Sequence, residues 1–254
     1  MNGETVAVIP ARYGSSRFPG KPLAMIAGTP MIVRVMERAR RARLVDRVLV
    51  ATDDERIARA VREAGGEAVM TPADVRSGSD RIAIVARGLP GAALIVNVQG
   101  DEPLIPPAMI DEAVRPMRED ATAEAGTLAR VLRSVAEWEN PNITKVLLDR
   151  GGRCLWFSRA PIPHGRGLAP EDVLATCPVY AHVGLYVYRR EFLIAYAAME
   201  QTPCERAEQL EQLRVLEHGH TMRAVVTAHD SIAVDTPDDL ERVREAIVQG
   251  ERER

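Results

Sequence analysis

Val6-Ala7-Val8-Ile9-Pro10-Ala11-Arg12-Tyr13-Gly14-Ser15-Ser16-Arg17-Phe18-Pro19-Gly20-Lys21-Pro22 is the stretch from which the fold can be read. The apolar run Val6 to Ile9 is long enough for one buried strand. Pro10 is expected to break it into a loop with two glycines, two serines and the cations Arg12, Arg17 and Lys21. A buried strand opening into such a loop suits an anionic ligand at the strand's carboxyl end. Backbone N–H groups come close to an anion where there is no Cβ, and guanidinium and ammonium groups neutralise phosphate. A Walker A loop is excluded, because five residues separate Gly14 from Gly20 and Pro22 stands where a metal-binding hydroxyl is required. No G-x-G-x-x-G follows the strand, so the dinucleotide fingerprint fails too. Two readings survive: a phosphate cradle of another kind, with metal ligands supplied from elsewhere, and a basic surface loop.

Outward from this loop, Thr29-Pro30 predicts an N-cap and first helical residue, followed by Met31, Val35, Met36, Ala39 and Ala42 at helical spacing. Arg47 to Ala51 predicts a second buried strand ending at Thr52-Asp53-Asp54, where a carboxylate can cap a helix carrying Ile57, Ala58, Val61 and Ala64. Gly65-Gly66 ends that helix, and Glu67 to Met70 predicts a third strand. Alternating strands and helices with short connections predict a parallel sheet covered by helices, with ligands beyond the carboxyl ends of its strands. Arg76-Ser77-Gly78-Ser79-Asp80-Arg81 precedes another helix and by itself reads as an N-cap.

Ala93 to Val98 is the strongest strand in the sequence, and its unbroken apolar run implies burial on both faces and a central place. It leads into Gln99-Gly100-Asp101-Glu102-Pro103. An acid immediately after such a strand points into the ligand crevice, which makes Asp101 the leading candidate for a magnesium ligand, since magnesium takes hard oxygen donors and bridges phosphates. The other reading is a turn aspartate binding its own backbone. Asp235, after a short predicted strand Ile232 to Val234, is either a second metal ligand or a cap for the last helix. Thr236-Pro237 opens that helix.

Pro107 to Arg118 predicts a helix, after which the pattern changes. Gly126 to Val131, Thr144 to Leu148, Arg153 to Ser158 and Val179 to Tyr188 are strand-like, and Asp149-Arg150-Gly151-Gly152 reads as a hairpin turn. Pro161 to Pro178 is rich in proline and glycine and is predicted to be irregular, as an interface or a lid. Arg190 to Met199 and Glu205 to His218 read as helices, the second with Glu208, Glu211 and Gln212 on a solvated face. Met222 to Thr227 reads as a strand. The whole is expected to be a single α/β domain over 1–254 with a β-rich extension at about 126–188.

The chain has 254 residues, 46% hydrophobic and 27% charged, with net charge −3, an ordinary globular composition that argues against a nucleic-acid binder. Cys154, Cys177 and Cys204 make neither a zinc pattern nor a disulfide framework, which fits a reducing cytosol. There is no signal-peptide pattern, and no apolar run approaches the roughly 18 residues of a membrane span. A cytoplasmic protein without membrane insertion is expected.

Taken together, several motifs resemble the 3-deoxy-manno-octulosonate (Kdo) cytidylyltransferases, or CMP-Kdo synthetases. They are Val8-Ile9-Pro10-Ala11-Arg12-Tyr13 with Pro19-Gly20-Lys21-Pro22-Leu23, Ala51-Thr52-Asp53, Asn97-Val98-Gln99-Gly100-Asp101-Glu102-Pro103 and Phe157-Ser158-Arg159-Ala160 with Ile162-Pro163. His182-Val183-Gly184-Leu185-Tyr186, Leu210-Glu211-Gln212-Leu213-Arg214 and Val234-Asp235-Thr236-Pro237-Asp238-Asp239-Leu240 complete the set. The resemblance implies a Rossmann-like nucleotide-diphospho-sugar transferase fold, with a mixed, mostly parallel central sheet flanked by helices and a smaller β-rich dimerisation part. It implies a homodimer that activates Kdo with CTP, giving CMP-Kdo and pyrophosphate for lipopolysaccharide assembly. Residue by residue, it implies triphosphate contacts from Arg12, Ser15, Arg17 and Lys21, and a cytosine pocket including Arg76, Ser77 and Arg81. It implies a Mg2+ site at Asp101 and Asp235, and a sugar-acid site of Gln99, Arg159, His182, Tyr186, Glu211 and Gln212, with Gln99 also near the nucleotide. Asp101, Lys21 and Arg12 would carry the chemistry. Ser79-Asp80-Arg81 departs from the usual Thr-Glu-Arg of the family, and Thr144 stands where valine is common.

Three alternatives stay open on the sequence: a cytidylyltransferase for another acid sugar, a glycosyltransferase on the same fold, and a silent nucleotide-binding protein. A glycosyltransferase would typically carry Asp-x-Asp, which Gln99-Gly100-Asp101 is not. A silent relative would be expected to lose a charged site residue, and Arg12, Lys21, Asp101 and Asp235 are all present.

Overall fold

The computed structural model describes residues 3–14 and 18–252, without the side chains of 250–252. In chain order the elements are β1 (Glu4–Ala11), β2 (Met25–Ile26), β3 (Thr29–Pro30), α1 (Met31–Ala39), β4 (Arg47–Thr52), α2 (Glu55–Glu63), β5 (Glu67–Met70), α3 (Gly78–Arg87), β6 (Ala92–Asn97) and α4 (Pro107–Glu119). There follow β7 (Ala125–Val131), α5 (Val135–Glu139), β8 (Lys145–Leu148), β9 (Cys154–Ser158), α6 (Pro170–Thr176), β10 (Tyr180–Arg189), α7 (Arg190–Tyr196), α8 (Pro203–Glu208), α9 (Leu213–Glu217), β11 (Met222–Val226) and α10 (Pro237–Arg252). They form two compact units, one from Met1–Asp111, Arg189–Ala197 and Asp230–Arg254, the other from Glu112–Tyr188 and Ala198–His229. Among the described residues no helix is long and apolar enough to cross a membrane.

In the first unit β1 pairs in parallel with β4, from Val6↔Arg47 to Ala11↔Thr52, and with β6, from Thr5↔Leu94 to Val8↔Asn97. β5 pairs in parallel with β4. The expected alternation of strand and helix is therefore present. Val6, Val8 and Ile9 are fully buried, as are Met31, Ile32 and Val35 on α1. Each such side chain contributes about 1.5–3 kcal/mol of transfer free energy relative to exposure. Asp54 caps α2 as anticipated, its carboxylate accepting from Arg56 N at 2.9 Å.

Pro10 does not break β1; the strand runs through it to Ala11. Val8 accepts from Val98 N, so the alternate residue Pro10 presents its nitrogen to the same side, beyond the last β1–β6 pair. No ladder bond is lost there, which is where proline is tolerated in a strand. Thr29 is not the cap of α1, because Thr29 and Pro30 pair with Ile26 and Met25, and Pro30 precedes the helix without a side-chain cap. Ile232 to Val234 is not a strand. It is held by burial instead: Val234, Leu240 and Val243 pack against Ile26 and Met31.

In the second unit β7 pairs antiparallel with β10 and parallel with β11, while β8 pairs antiparallel with β9 and with the start of β10. The predicted hairpin turn is present, with Asp149 N donating to Arg153 O at 2.9 Å and Gly152 at φ 80°. The expected β-rich extension lies within this unit, which also holds α8, α9 and β11. Two expectations fail here. Pro161 to Pro178 contains α6, whose Val173 is buried with Leu132, Trp138 and Val179. Glu205 to His218 is two short helices, because Gln209 adopts a left-handed conformation (φ 54°) that ends α8. Gln212 is consequently buried and Glu208 half-buried, not spread along one solvated face.

Candidate active site

In the first unit the loop after β1 is closed by Gly20 N donating to Tyr13 O at 3.0 Å. Gly20 sits at φ 72°, a conformation open to glycine, and a Cβ there would lie 3.2 Å from the Tyr13 hydroxyl. Directly after it, the Lys21 ammonium donates to Asp101 Oδ2 at 2.7 Å and to Val234 O at 2.8 Å, and lies 3.6 Å from Asp235 Oδ1. Val234 N in turn donates to Asp101 O at 2.8 Å. Three segments far apart in sequence thus converge on one cation. The Val234 cluster seats Asp235, and Gly100 seats Asp101: a Cβ on Gly100 would lie 2.7 Å from Pro10 O, so only glycine lets the two chains approach. Glu102, next to Asp101, is buried, and this desolvation, reinforced by the Asp101 charge, raises its carboxyl pKa to about 7.

Among the described residues no group of three or more His, Cys, Asp or Glu could hold a metal ion. Two carboxylates sharing one ammonium do fit a magnesium site, since this ion is bound by one or two protein carboxylates with substrate phosphates supplying further oxygens.

The other nucleotide candidates of this unit differ in their surroundings. Arg12 and Arg76 are exposed, and Gln99 is half-buried. Ser77 caps α3, accepting from Asp80 N at 3.2 Å, so the N-cap reading of that loop holds. Arg81 is buried, and its guanidinium donates to Thr71 Oγ1 and, at 3.0 Å, to Asp53 Oδ2. Asp53 also accepts from Tyr13 N at 3.4 Å, so the structure ties Arg81 to the base of the β1 loop. Ser15 and Arg17 lie outside the described residues.

In the second unit His182, Tyr186, Gln212 and Arg159 have defined surroundings. Phe157 meets the His182 ring edge-on, with centroids 5.0 Å apart, and Tyr186 lies 5.4 Å beyond. Burial pushes the His182 pKa down to about 4, so the ring is neutral at pH 7. Its Nε2 lies 3.0 Å from Thr127 Oγ1, which is also within hydrogen-bond reach of Val183 O and Leu185 O. The neutral ring has one donor and one acceptor nitrogen, and Thr127 Oγ1 can serve either at Nε2. Burial, aided by Tyr188 and Glu211, holds the Tyr186 pKa well above the usual phenol value, and its hydroxyl donates to Gln212 Oε1 at 3.4 Å. Glu211 is half-buried. Arg159 donates from Nε to Glu208 O at 2.7 Å and from Nη1 to Pro141 O at 3.1 Å.

Sequence reasoning missed Lys145, which is fully buried and whose ammonium donates to Ile143 O, Arg159 O and Asn140 O at 2.6, 2.7 and 2.9 Å. A lysine inside a Val-Leu-Leu strand was the available signal. It missed Glu208 as well, which it assigned to solvent.

The sequence profile of the cytidylyltransferase family matches residues 6–225. Over 247 residues the chain is 54% identical to the 3-deoxy-manno-octulosonate cytidylyltransferase of Syntrophotalea carbinolica, covering 96% of this chain and 98% of the relative. Identity to the enzyme of the same name from Geobacter sulfurreducens is also 54%, over 95% and 98% of the two chains. Among solved structures, a CMP:2-keto-3-deoxy-manno-octonic acid synthetase complexed with CTP superposes with a TM-score of 0.91 at 42% identity, covering 97% of this chain and 99% of that one. A Leptospira borgpetersenii cytidylyltransferase, at TM-score 0.65 and 17% identity over 97% and 87% of the chains, shares the fold. The mixed α/β fold and this similarity along nearly the whole chain agree: the protein belongs to the 3-deoxy-manno-octulosonate cytidylyltransferase family.

Proposed function

We propose that the chain transfers the cytidylyl group of CTP to Kdo, releasing pyrophosphate, and so supplies an activated sugar for lipopolysaccharide assembly. The observation that carries this reading is the Lys21 ammonium held between Asp101 and Asp235 at the end of the β1 loop. Both substrates are anions, so the catalyst must supply positive charge where they meet. Lys21 and Arg12 serve the triphosphate, with Ser15 and Arg17 from the same loop. Arg76, Ser77 and Gln99 serve the nucleotide, and Arg81 acts from its buried position under the loop. Asp101 and Asp235 would hold Mg2+, which when bound supplies charge neutralisation at the phosphate oxygens.

Arg159 takes the sugar carboxylate. His182 meets a sugar hydroxyl, and Gln99, Tyr186, Glu211 and Gln212 orient the sugar. The anomeric oxygen of Kdo bonds to the α-phosphorus as the bond to the pyrophosphate oxygen breaks, and the hydroxyl proton leaves to solvent. Positioning and electrostatics do most of the work in phosphoryl transfer of this kind. Val131, Leu155 and Val226 are exposed on the second unit, and they support a homodimer formed through that unit, which sedimentation would test. Pyrophosphate release from CTP on adding Kdo, with UTP and ATP as controls, tests the reaction. Release with CTP alone among the three is expected, and no release with CTP would overturn the reading.

A further inference from the structure

Glu208 takes no part in the chemistry above, yet it is closely engaged with Arg159. It is the last residue of α8 and reaches across to the end of β9. Its Oε1 accepts from Ser158 Oγ at 2.6 Å and its Oε2 from Arg159 N at 2.8 Å, while its main-chain oxygen accepts from Arg159 Nε at 2.7 Å. Arg159 is therefore held by Glu208 through both its backbone and its side chain. The guanidinium is fixed further by Pro141 O at 3.1 Å from Nη1 and by Gln209 O at 3.4 Å from Nη2. From the other side the buried Lys145 ammonium donates to Arg159 O at 2.7 Å.

A guanidinium has five N–H donors in one plane. Three of them here meet main-chain carbonyls, which fixes the plane and leaves two without a protein acceptor among the described residues. We infer that Glu208 is a positioning residue for the acid substrate: it locks the Arg159 guanidinium in the orientation in which its two remaining donors meet the sugar carboxylate. The inference rests on the proposed role of Arg159. Gln209, in its left-handed conformation, supplies one of the carbonyls. The break between α8 and α9 is thus part of the clamp, and it stands immediately before Glu211 and Gln212.

The test is the initial rate of pyrophosphate release, with Kdo varied at saturating CTP and CTP varied at saturating Kdo. Glu208→Gln keeps the shape but cannot accept at both ends and carries no charge. Loss of one charge-assisted bond predicts a KM for Kdo raised about tenfold, with KM for CTP within about twofold. In an Arg159→Lys background the same change is expected to move KM for Kdo less than about twofold, because the group it positions is gone. If Glu208→Gln does not fold, Glu208→Asp, which keeps the charge but is one methylene short, is expected to show the same split at about threefold.

An unchanged KM for Kdo, or an equal rise in both KM values, overturns the inference. Wild-type protein that releases no pyrophosphate with Kdo overturns the substrate reading itself, and the inference with it. Wild-type activity with an indifferent Glu208 variant removes the inference alone.

Discussion

The Lys21 ammonium donates to Asp101 Oδ2 at 2.7 Å across 80 positions of sequence. With Asp235 3.6 Å from the same ammonium, one cation is shared by two acids that would otherwise repel each other. Lys21→Met removes that cation and, on the proposed function, a phosphate ligand with it. Turnover is expected to fall at least about 100-fold, since electrostatic stabilisation at a transferring phosphoryl group is usually the largest catalytic contribution. Steady-state pyrophosphate release measures it, and a kcat within tenfold of wild type would remove Lys21 from the chemistry.

Gly100→Ala tests the seat of Asp101. The new methyl would lie 2.7 Å from Pro10 O, a backbone atom that no side-chain rotation can clear. Overpacking of this kind costs about 1–3 kcal/mol, and the displaced loop takes Asp101 with it. Urea unfolding should show the loss of stability and the rate assay a loss of kcat. A variant with wild-type values of both would mean that the close approach is not needed.

His182 gives the second unit a pH dependence with a definite sign. Its folded pKa, about 4, lies below the ordinary value of 6.5, so the unfolded chain binds the proton more readily between these values. The stabilisation by neutral His182 is full above pH 6.5 and is lost as pH falls towards 4. After allowance for partial exposure the loss is about 2 kcal/mol. Denaturant titrations at pH 7 and pH 4.5 should show it, and His182→Gln should flatten that part of the profile. An unaltered slope in the variant would assign the acid sensitivity to other groups.

Arg214 and Glu205 form a buried ion pair, with Arg214 Nε donating to Glu205 Oε2 at 2.8 Å and both side chains less than a tenth exposed. Glu205 also completes the capping box of α8 with Thr202. Arg214→Met leaves that carboxylate buried without its cation, which typically costs about 3–5 kcal/mol. A melting temperature within a degree or two of wild type would show that the pair contributes little.

Much of the first unit was legible in the sequence, because its strands are continuous apolar runs, its helices are periodic, and α2 and α3 carry side-chain caps. The rule that ligands collect beyond the carboxyl ends of parallel strands pointed to Asp101, while the pairing of Asp101 with Asp235 came from the family resemblance. Asp235 follows an irregular segment held by Val234 and not a strand. Pro10 misled because the harm proline does in a strand depends on which edge its nitrogen faces, a property of register that the sequence does not display.

The second unit was harder to read. Pro170-Glu171-Asp172 is a helix start, with proline in the first turn and two acids near the N-terminus, yet the surrounding prolines and glycines hid it. Leu210, Leu213 and Leu216 kept a helical period across a break that only tertiary contacts create: Gln209 gives up helical geometry, and its carbonyl accepts from Arg159. Lys145 passes unnoticed in the sequence and Glu208 reads as part of a solvated face, because nothing local reveals that three carbonyls surround one and that Ser158 and Arg159 meet the other.

The most direct test of the central claim is the rate of CMP-Kdo formation by Asp101→Asn and Asp235→Asn beside wild type, with melting curves on the same preparations. Both variants should fall by about 100-fold or more in kcat while melting within a few degrees of wild type. A folded variant of either residue that keeps near-normal kcat with CTP and Kdo would contradict the account.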